Sequence, residues 1–165
     1  ITGDTIGLNR TAGVSIGGTS APTAAMPGDT IESSYIGSDA ADANLGNGIG
    51  IVILGGAGNT NGGSDLSSAN TIRFNATVGI SIAGSAAPAS SPGNLIACDF
   101  VGTDGADAKL GNGIGIVLDD APGNSITGNF VNFNTMTGSS TSPLEGSKQS
   151  DITSVFGSSR ARMNG

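Results

Sequence analysis

The chain has 165 residues, of which 29 are glycine and 14 asparagine, with no histidine, no tryptophan and one cysteine. Its 13 acidic and six basic side chains leave a net charge of −7. Without histidine there is no Ser-His-Asp triad and no histidine-ligated zinc, one cysteine closes no internal disulfide, and an acidic chain with few aromatic rings is a poor partner for nucleic acid.

Glycine at this level suggests collagen or disorder, and neither fits. Gly46, Gly48, Gly50, Gly55 and Gly56 keep no three-residue period. Ile and Val recur in short runs, the longest from Ile49 to Leu54, which disorder would lack. That run is also too short to span a membrane, so membrane insertion is not expected. The chain opens at Ile1 without a charged segment followed by an apolar one. It reads as a processed mature protein or an excised fragment.

Taken in order, the apolar pieces fall into triplets. Residues 5–8, 13–16 and 30–31 form the first; 35–36, 50–53 and the weak 59–61 the second. Residues 71–74, 79–82 and 95–98 form the third; 100–101, 115–118 and 125–126 the fourth, and 130–133 start a fifth. The period is about 30 residues, stretched once by an insertion over 64–69. Longer self-similarity lies above it. Tyr35-Ile36-Gly37-Ser38-Asp39 through Leu45-Gly46-Asn47-Gly48-Ile49 recurs as Phe100-Val101-Gly102-Thr103-Asp104 through Leu110-Gly111-Asn112-Gly113-Ile114. Ile1-Thr2-Gly3-Asp4 returns as Ile126-Thr127-Gly128-Asn129.

Three short β-branched strands per period, bounded by Gly, Asn, Asp or Pro, cannot bury an apolar face alone. Stacked turns can, each strand pairing in parallel with its equivalent about 4.8 Å away. Val14/Ile16 and Ile80/Ile82 then point into a continuous core, with Ser15 and Ser81 outward. No window supports a helix. The expected fold is all-β, a parallel β-solenoid of four to five coils over residues 1–138, followed by a Ser/Gly-rich tail over 139–165.

The patterns Asn70-Thr71-Ile72-x-x-Asn75-x-x-x-Gly79-Ile80 and Val101-Gly102-Thr103-Asp104 through Leu110-Gly111-Asn112-Gly113 resemble bacterial secreted right-handed parallel β-helix proteins with pectate-lyase-like coils. The resemblance implies right-handed coils and an extracellular or cell-surface location. It leaves activity open, since such proteins include lyases, hydrolases, tailspikes, adhesins and structural repeats. It also implies that Asn9, Asn75 and Asn134, and Asn94 and Asn124, stack as internal ladders. Asn9-Arg10-Thr11 and Asn75-Ala76-Thr77 match glycosylation acceptors, which ladder positions would bury.

Among candidate sites, Asp39 with Asp42 and Asp104 with Asp107 form two matched acidic loops. They are weak Ca²⁺ candidates, because each loop offers two carboxylates where calcium takes six or more oxygens. Turn capping is the favoured role, and no cofactor is required. Asp119 and Asp120, with Asp99, are the best candidates for a glycosidase acid pair, but adjacent strand residues point to opposite faces. Arg10, Arg73 and Lys109 are the only body cations a lyase could use, and no two share a turn position. No catalytic residue is assigned. Cys98 matches Ser33 of an earlier coil and reads as a spare thiol, and Tyr35 matches Phe100 as core or edge-stacked rings.

Residues 1–138 carry a net charge of −8 and the tail +1. Ile1 at one end, and Ile152, Val155, Phe156, Arg160 and Arg162 in the tail, are the candidates for contact between subunits. These features favour a non-enzymatic extracellular structural module stacking head to tail into a fibre or longer solenoid. The alternatives are a carbohydrate-binding or adhesive segment using Ser15, Ser81 and Thr103, and then a pectate-lyase-like enzyme. Ice binding is disfavoured, since no flat Thr-x-Thr array appears.

Overall fold

The computed structural model describes residues 1–18, 28–84, 93–104, 110–119, 121 and 123–135. These hold thirteen strands and no helix. Coil 1 comprises β1 (Thr5–Ile6), β2 (Ala12–Gly17) and β3 (Thr30–Ile31); coil 2 comprises β4 (Tyr35–Ile36), β5 (Ile49–Leu54) and β6 (Thr60–Gly62). Coil 3 has β7 (Thr71–Ile72), β8 (Val78–Ala83) and β9 (Leu95–Ala97), and coil 4 has β10 (Phe100–Val101), β11 (Ile114–Asp119) and β12 (Ser125–Thr127). β13 (Phe130–Val131) opens coil 5.

Every third strand pairs with the next in parallel, giving three sheets in the orders β1-β4-β7-β10-β13, β2-β5-β8-β11 and β3-β6-β9-β12. The molecule is a three-faced parallel β-helix, as the triplets of apolar pieces require. Register carries equivalent side chains into straight rows. Ile36, Ile72, Val101 and Val131 stack inside the first sheet, all buried. Val14, Ile51, Ile80 and Ile116, then Ile16, Ile53, Ile82 and Leu118, do so inside the second. Each buried aliphatic contributes on the order of 2 kcal/mol, and together they form one continuous cluster.

The third sheet breaks the pattern. Its inward row runs Ile31, Asn61, Ile96, Ile126, so coil 2 places an amide where the other coils place isoleucine. The pieces at 71–74 and 95–98 also shorten, because Phe74 (φ 58°) and Cys98 (φ 60°) leave the extended region. Leu8 and Phe133 turn out with Phe74, each just before a ladder asparagine, and Ser33 turns with Cys98, as Gly3 and Gly128 do at the same corner.

Two loops interrupt the first corner. Ten residues separate Ile36 from Asn47 and Val101 from Asn112, where two separate Ile6 from Asn9, Ile72 from Asn75 and Val131 from Asn134. Each insertion leaves at a glycine with positive φ, Gly37 at 89° and Gly102 at 83°. A Cβ on Gly37 would run into the Arg73 carbonyl and the Asn75 amide; one on Gly102 would meet Asn132 O and Asn134. Only glycine combines that conformation with so close a neighbour.

Two substitutions separate these effects. Gly102→Ala should lower stability by at least ~2 kcal/mol, through strain and the clash with the coil above. Cys98→Gly should raise it by about 1 kcal/mol, since glycine removes the left-handed penalty at a corner that Gly3 and Gly128 already occupy. Denaturant midpoints of the two variants check both signs.

Candidate functional site

The corner asparagines form three ladders. In the first, Asn9, Asn47, Asn75, Asn112 and Asn134 stack one per coil. Each rung donates its backbone N–H and its side-chain Nδ2 to Oδ1 of the next, at 2.9–3.1 Å throughout. Nδ2 of Asn47, Asn75, Asn112 and Asn134 also reaches a carbonyl of the preceding coil, Ile6 O, Ile36 O, Ile72 O and Val101 O respectively. The second ladder runs Asn59, Asn94, Asn124 with the same double donation, and Asp29 gives its backbone N–H to Asn59 Oδ1. Asn75, Asn94 and Asn124 are buried, which closes the Asn75 glycosylation motif; Asn9, the first rung, is exposed because no described coil lies on its other side.

The third ladder mixes side chains. Asp4 donates its N–H to Ser34 Oγ, Ser34 to Asn70 Oδ1, Asn70 to Asp99 Oδ1 and Asp99 to Asn129 Oδ1. Asp99 is 0 % exposed. Its Oδ1 also accepts from Asn70 Nδ2 at 3.0 Å, and its Oδ2 accepts from Asn61 Nδ2 at 2.9 Å. Asn70 Nδ2 in turn donates to Asn61 Oδ1 at 3.0 Å. The amide in the core row and the acid at the corner therefore satisfy each other. Burial without a cation pushes the Asp99 carboxyl up to about 7, against the opposing hydrogen bonds from Asn70.

Beside the first insertion stands Arg73, 1 % exposed. It occupies a position held by glycine or asparagine in the other coils, and the loop after Gly37 folds over it. Its Nε donates to Ser38 Oγ at 2.8 Å and its Nη2 to Asp39 O at 3.0 Å, and Nη2 pairs with Asp42 Oδ1 at 2.6 Å. The Tyr35 ring lies 6.0 Å from the guanidinium carbon, within reach of a cation–π attraction. Asp39 Oδ1 meanwhile accepts from the N–H groups of Ala41 and Ala43 at 2.9 and 3.0 Å. The loop's two carboxylates thus serve different partners, Asp39 its own backbone and Asp42 the arginine. The positive charge that this acidic loop suggests comes from Arg73 itself, which the sequence offers only as one of three body cations.

In the matched loop, Asp104 is described and Asp107 lies outside the described residues, and the coil above carries Asn132 in place of an arginine. Thr103 is buried at 4 % exposure. It starts an inserted loop as Ser38 does, so the outward glycan-facing role expected for it is corrected. Asp119 ends β11 on the second sheet and is exposed, whereas Asp99 is sealed at the corner leading into β10, so the structure does not bring these two together. Asp120 lies outside the described residues, as do Ile152, Val155, Phe156, Arg160 and Arg162. Ile1 is half exposed, its ammonium donating to Thr30 O. Phe100 stacks on Phe130 with centroids 5.1 Å apart, while its equivalent Tyr35 packs toward Arg73. Among the described residues no group of three acidic or cysteine side chains is placed to hold a metal ion.

Comparison with protein-family models, with curated proteins and with solved structures finds no match for this chain.

Removing Arg73 tests what the clamp does. Arg73→Ala should cost about 3 kcal/mol, for the lost hydrogen bonds and the cavity left by a fully buried side chain. It should also strip exchange protection from the Leu45 amide, which bonds Gly37 O across the neck of the loop. Asp42→Asn, at a half-exposed partner, should cost about 1 kcal/mol. Native-state hydrogen exchange with denaturant titration reads both.

Proposed function

We propose that the protein is a non-enzymatic structural solenoid whose coils add end to end, head to tail, to form a fibre or a longer solenoid. The observation that carries this is the polarity of the first ladder. Every rung from Asn9 to Asn112 donates to the Oδ1 of the coil above. Among the described residues, Asn9 Oδ1 therefore stands at the acceptor end and the Asn134 backbone N–H at the donor end, the Asn134 Nδ2 already donating to Val101 O and Asn132 O. The backbone edges of the described strands agree, with β1, β2 and β3 on one side and β13, β11 and β12 on the other, all parallel. Parallel edge strands of this kind accept further strands readily.

The two ends are also similar in chain geometry. Gly3 (φ 71°) and Gly128 (φ 63°) turn the same corner, followed by Asp4 and Asn129 at the same ladder position. A second copy translated along the axis thus meets a surface like the one its own coil 1 already packs on. A heterologous contact of this type does not close, so it propagates. The likeness of the coils to secreted right-handed β-helix proteins supports a right-handed coil and an extracellular or cell-surface setting.

A second reading rests on the outward face of the second sheet. Ser15, Val52, Ser81 and Val117 form one straight outward row of small and β-branched side chains. A flat, regular row suits an adhesive or carbohydrate-binding segment. Glycan-array binding that is lost on Ser81→Arg would favour it.

For the leading reading, sedimentation velocity over a hundredfold concentration range should show a growing series of oligomers. Negative-stain images should show rods of one width. A single monomeric species at the highest concentration overturns end-to-end addition.

A further inference from the structure

The Asp99 corner differs from every other rung in a way that stacking between copies does not explain. At the equivalent positions of the third ladder, Asn70 and Asn129 turn their Oδ1 toward the N–H of the rung below. They send Nδ2 to a carbonyl one turn down the stack, Ile31 O and Ile96 O, at 2.9 and 2.8 Å. Asp99 keeps the first half of this arrangement, its Oδ1 accepting from Asn70. In the second half, Oδ2 stands where an amide nitrogen would stand. By the same coil relation, the carbonyl facing it belongs to Asn61.

Oδ2 therefore has two demands on it. Asn61 Nδ2 donates to it at 2.9 Å, so it must accept. The carbonyl that an asparagine rung would reach has its second acceptor site turned to the same atom. An amide nitrogen donates and cannot accept; an ionised carboxylate oxygen accepts and cannot donate. A protonated carboxyl does both. Three N–H donors on its two oxygens favour the charged form, and complete burial without a cation opposes them. The side chains against it are Asn61, Asn70 and Asn129, with Gly62 close to Oδ1. Its chain neighbour Cys98 directs its thiol beside Gly128, and Arg73 is committed to Ser38, Asp39 and Asp42. Among the described residues no cation and no second acid contacts it.

We infer that Asp99 is a proton-dependent lock on the stack, neutral in the native solenoid, whose ionisation loosens the junction of coils 2, 3 and 4. The carboxyl spans that junction, touching Asn61 of coil 2 and Asn70 at the entry to coil 3 while opening coil 4 itself. Its loss of a proton leaves a buried charge set against a carbonyl oxygen.

The direction follows from linkage. The native carboxyl titrates near 7 and the unfolded one near its ordinary 3.8. Between these values the native state holds a proton that the unfolded state has released. Stability therefore falls as pH rises from about 4 to about 7, and is level outside that window. Asp65, whose carboxyl is held low by Ser67, changes stability only below 3.8 and in the opposite sense.

The test restores the repeat consensus at both positions. The double variant Asn61→Ile/Asp99→Asn continues the isoleucine row and supplies an ordinary rung, removing the paired demand along with the proton. Equilibrium denaturation of both proteins from pH 4 to pH 8 should show the wild-type folded-to-unfolded ratio falling up to roughly a thousandfold relative to the double variant, with the change complete near pH 7. Asp99→Asn alone, which sets two donors against each other, should be less stable than the double variant at every pH. Parallel wild-type and double-variant profiles would overturn the lock. Should the double variant fail to fold, the carbon-13 shift of the Asp99 carboxyl decides. A midpoint near 7 supports the lock, and one near 4 sinks it. Neither readout depends on whether copies stack.

Discussion

The structure depends on side-chain amides filling the places where the backbone turns a corner. A coil that repeats by simple translation leaves at each corner an N–H pointing along the axis, while strand-end carbonyls that already accept one backbone N–H keep a second acceptor site toward the interior. Asparagine is short, and it carries a donor and an acceptor on one planar group. Stacked by translation, each copy accepts from one neighbour and donates to the other, as the run from Asn9 to Asn134 does at nearly constant distances. Each such bond contributes about 1 kcal/mol net, and leaving its buried partner unmade costs more. Isoleucine rows fill the space between ladders; they do not by themselves hold the corners.

The same constraint explains why departures from the repeat come in compensating sets. Asn61 interrupts the isoleucine row of the third sheet, and an unpartnered amide there would be costly. It is tolerated because Asp99, at the corner after the next strand of that stack, supplies the acceptor, and Asn70 closes the triangle. Arg73 likewise puts a guanidinium where other coils keep glycine or asparagine. Its charge is met by Asp42, by Ser38 and by a carbonyl of a loop that the repeat otherwise lacks at that height. In both cases the odd residue and its partners lie in different coils.

How much of this the sequence discloses varies with the signal. The strands, the three faces and the core rows follow from a 30-residue period and from alternation such as Val14-Ser15-Ile16. Ladder members show where the asparagine keeps its distance from the strand, as Asn9, Asn75 and Asn134 do. Asn47 and Asn112 escape that rule because ten inserted residues separate them from Ile36 and Val101. Asn59 was hidden as part of a weak strand, since the true strand begins one residue later at Thr60. The third ladder carries Ser34, Asn70, Asp99 and Asn129, so no single residue type marks it. Arg73 had a readable clue: a lone arginine one coil above a Ser-Asp-x-x-Asp loop, at a position otherwise held by glycine or asparagine. What conceals it is that outward alternation assigns it to solvent, and only the loop's fold covers it.

A solenoid built from near-identical coils faces a problem that a globular domain does not, because sliding one part of the stack by a whole coil preserves most of its contacts. Isoleucine meets isoleucine and asparagine meets asparagine after such a slip. The unequal residues are where the registers differ. Moved by one coil, Arg73 leaves the loop altogether, and a buried guanidinium loses Asp42, Ser38 and the Asp39 carbonyl together. Asp99 loses the amide of Asn61 and faces the isoleucine of a neighbouring coil instead. Each mismatch costs several kcal/mol, far more than any rung of a uniform ladder can distinguish. Among the described coils, the interruptions of coils 2 to 4 thus fix a register that the hydrophobic rows cannot.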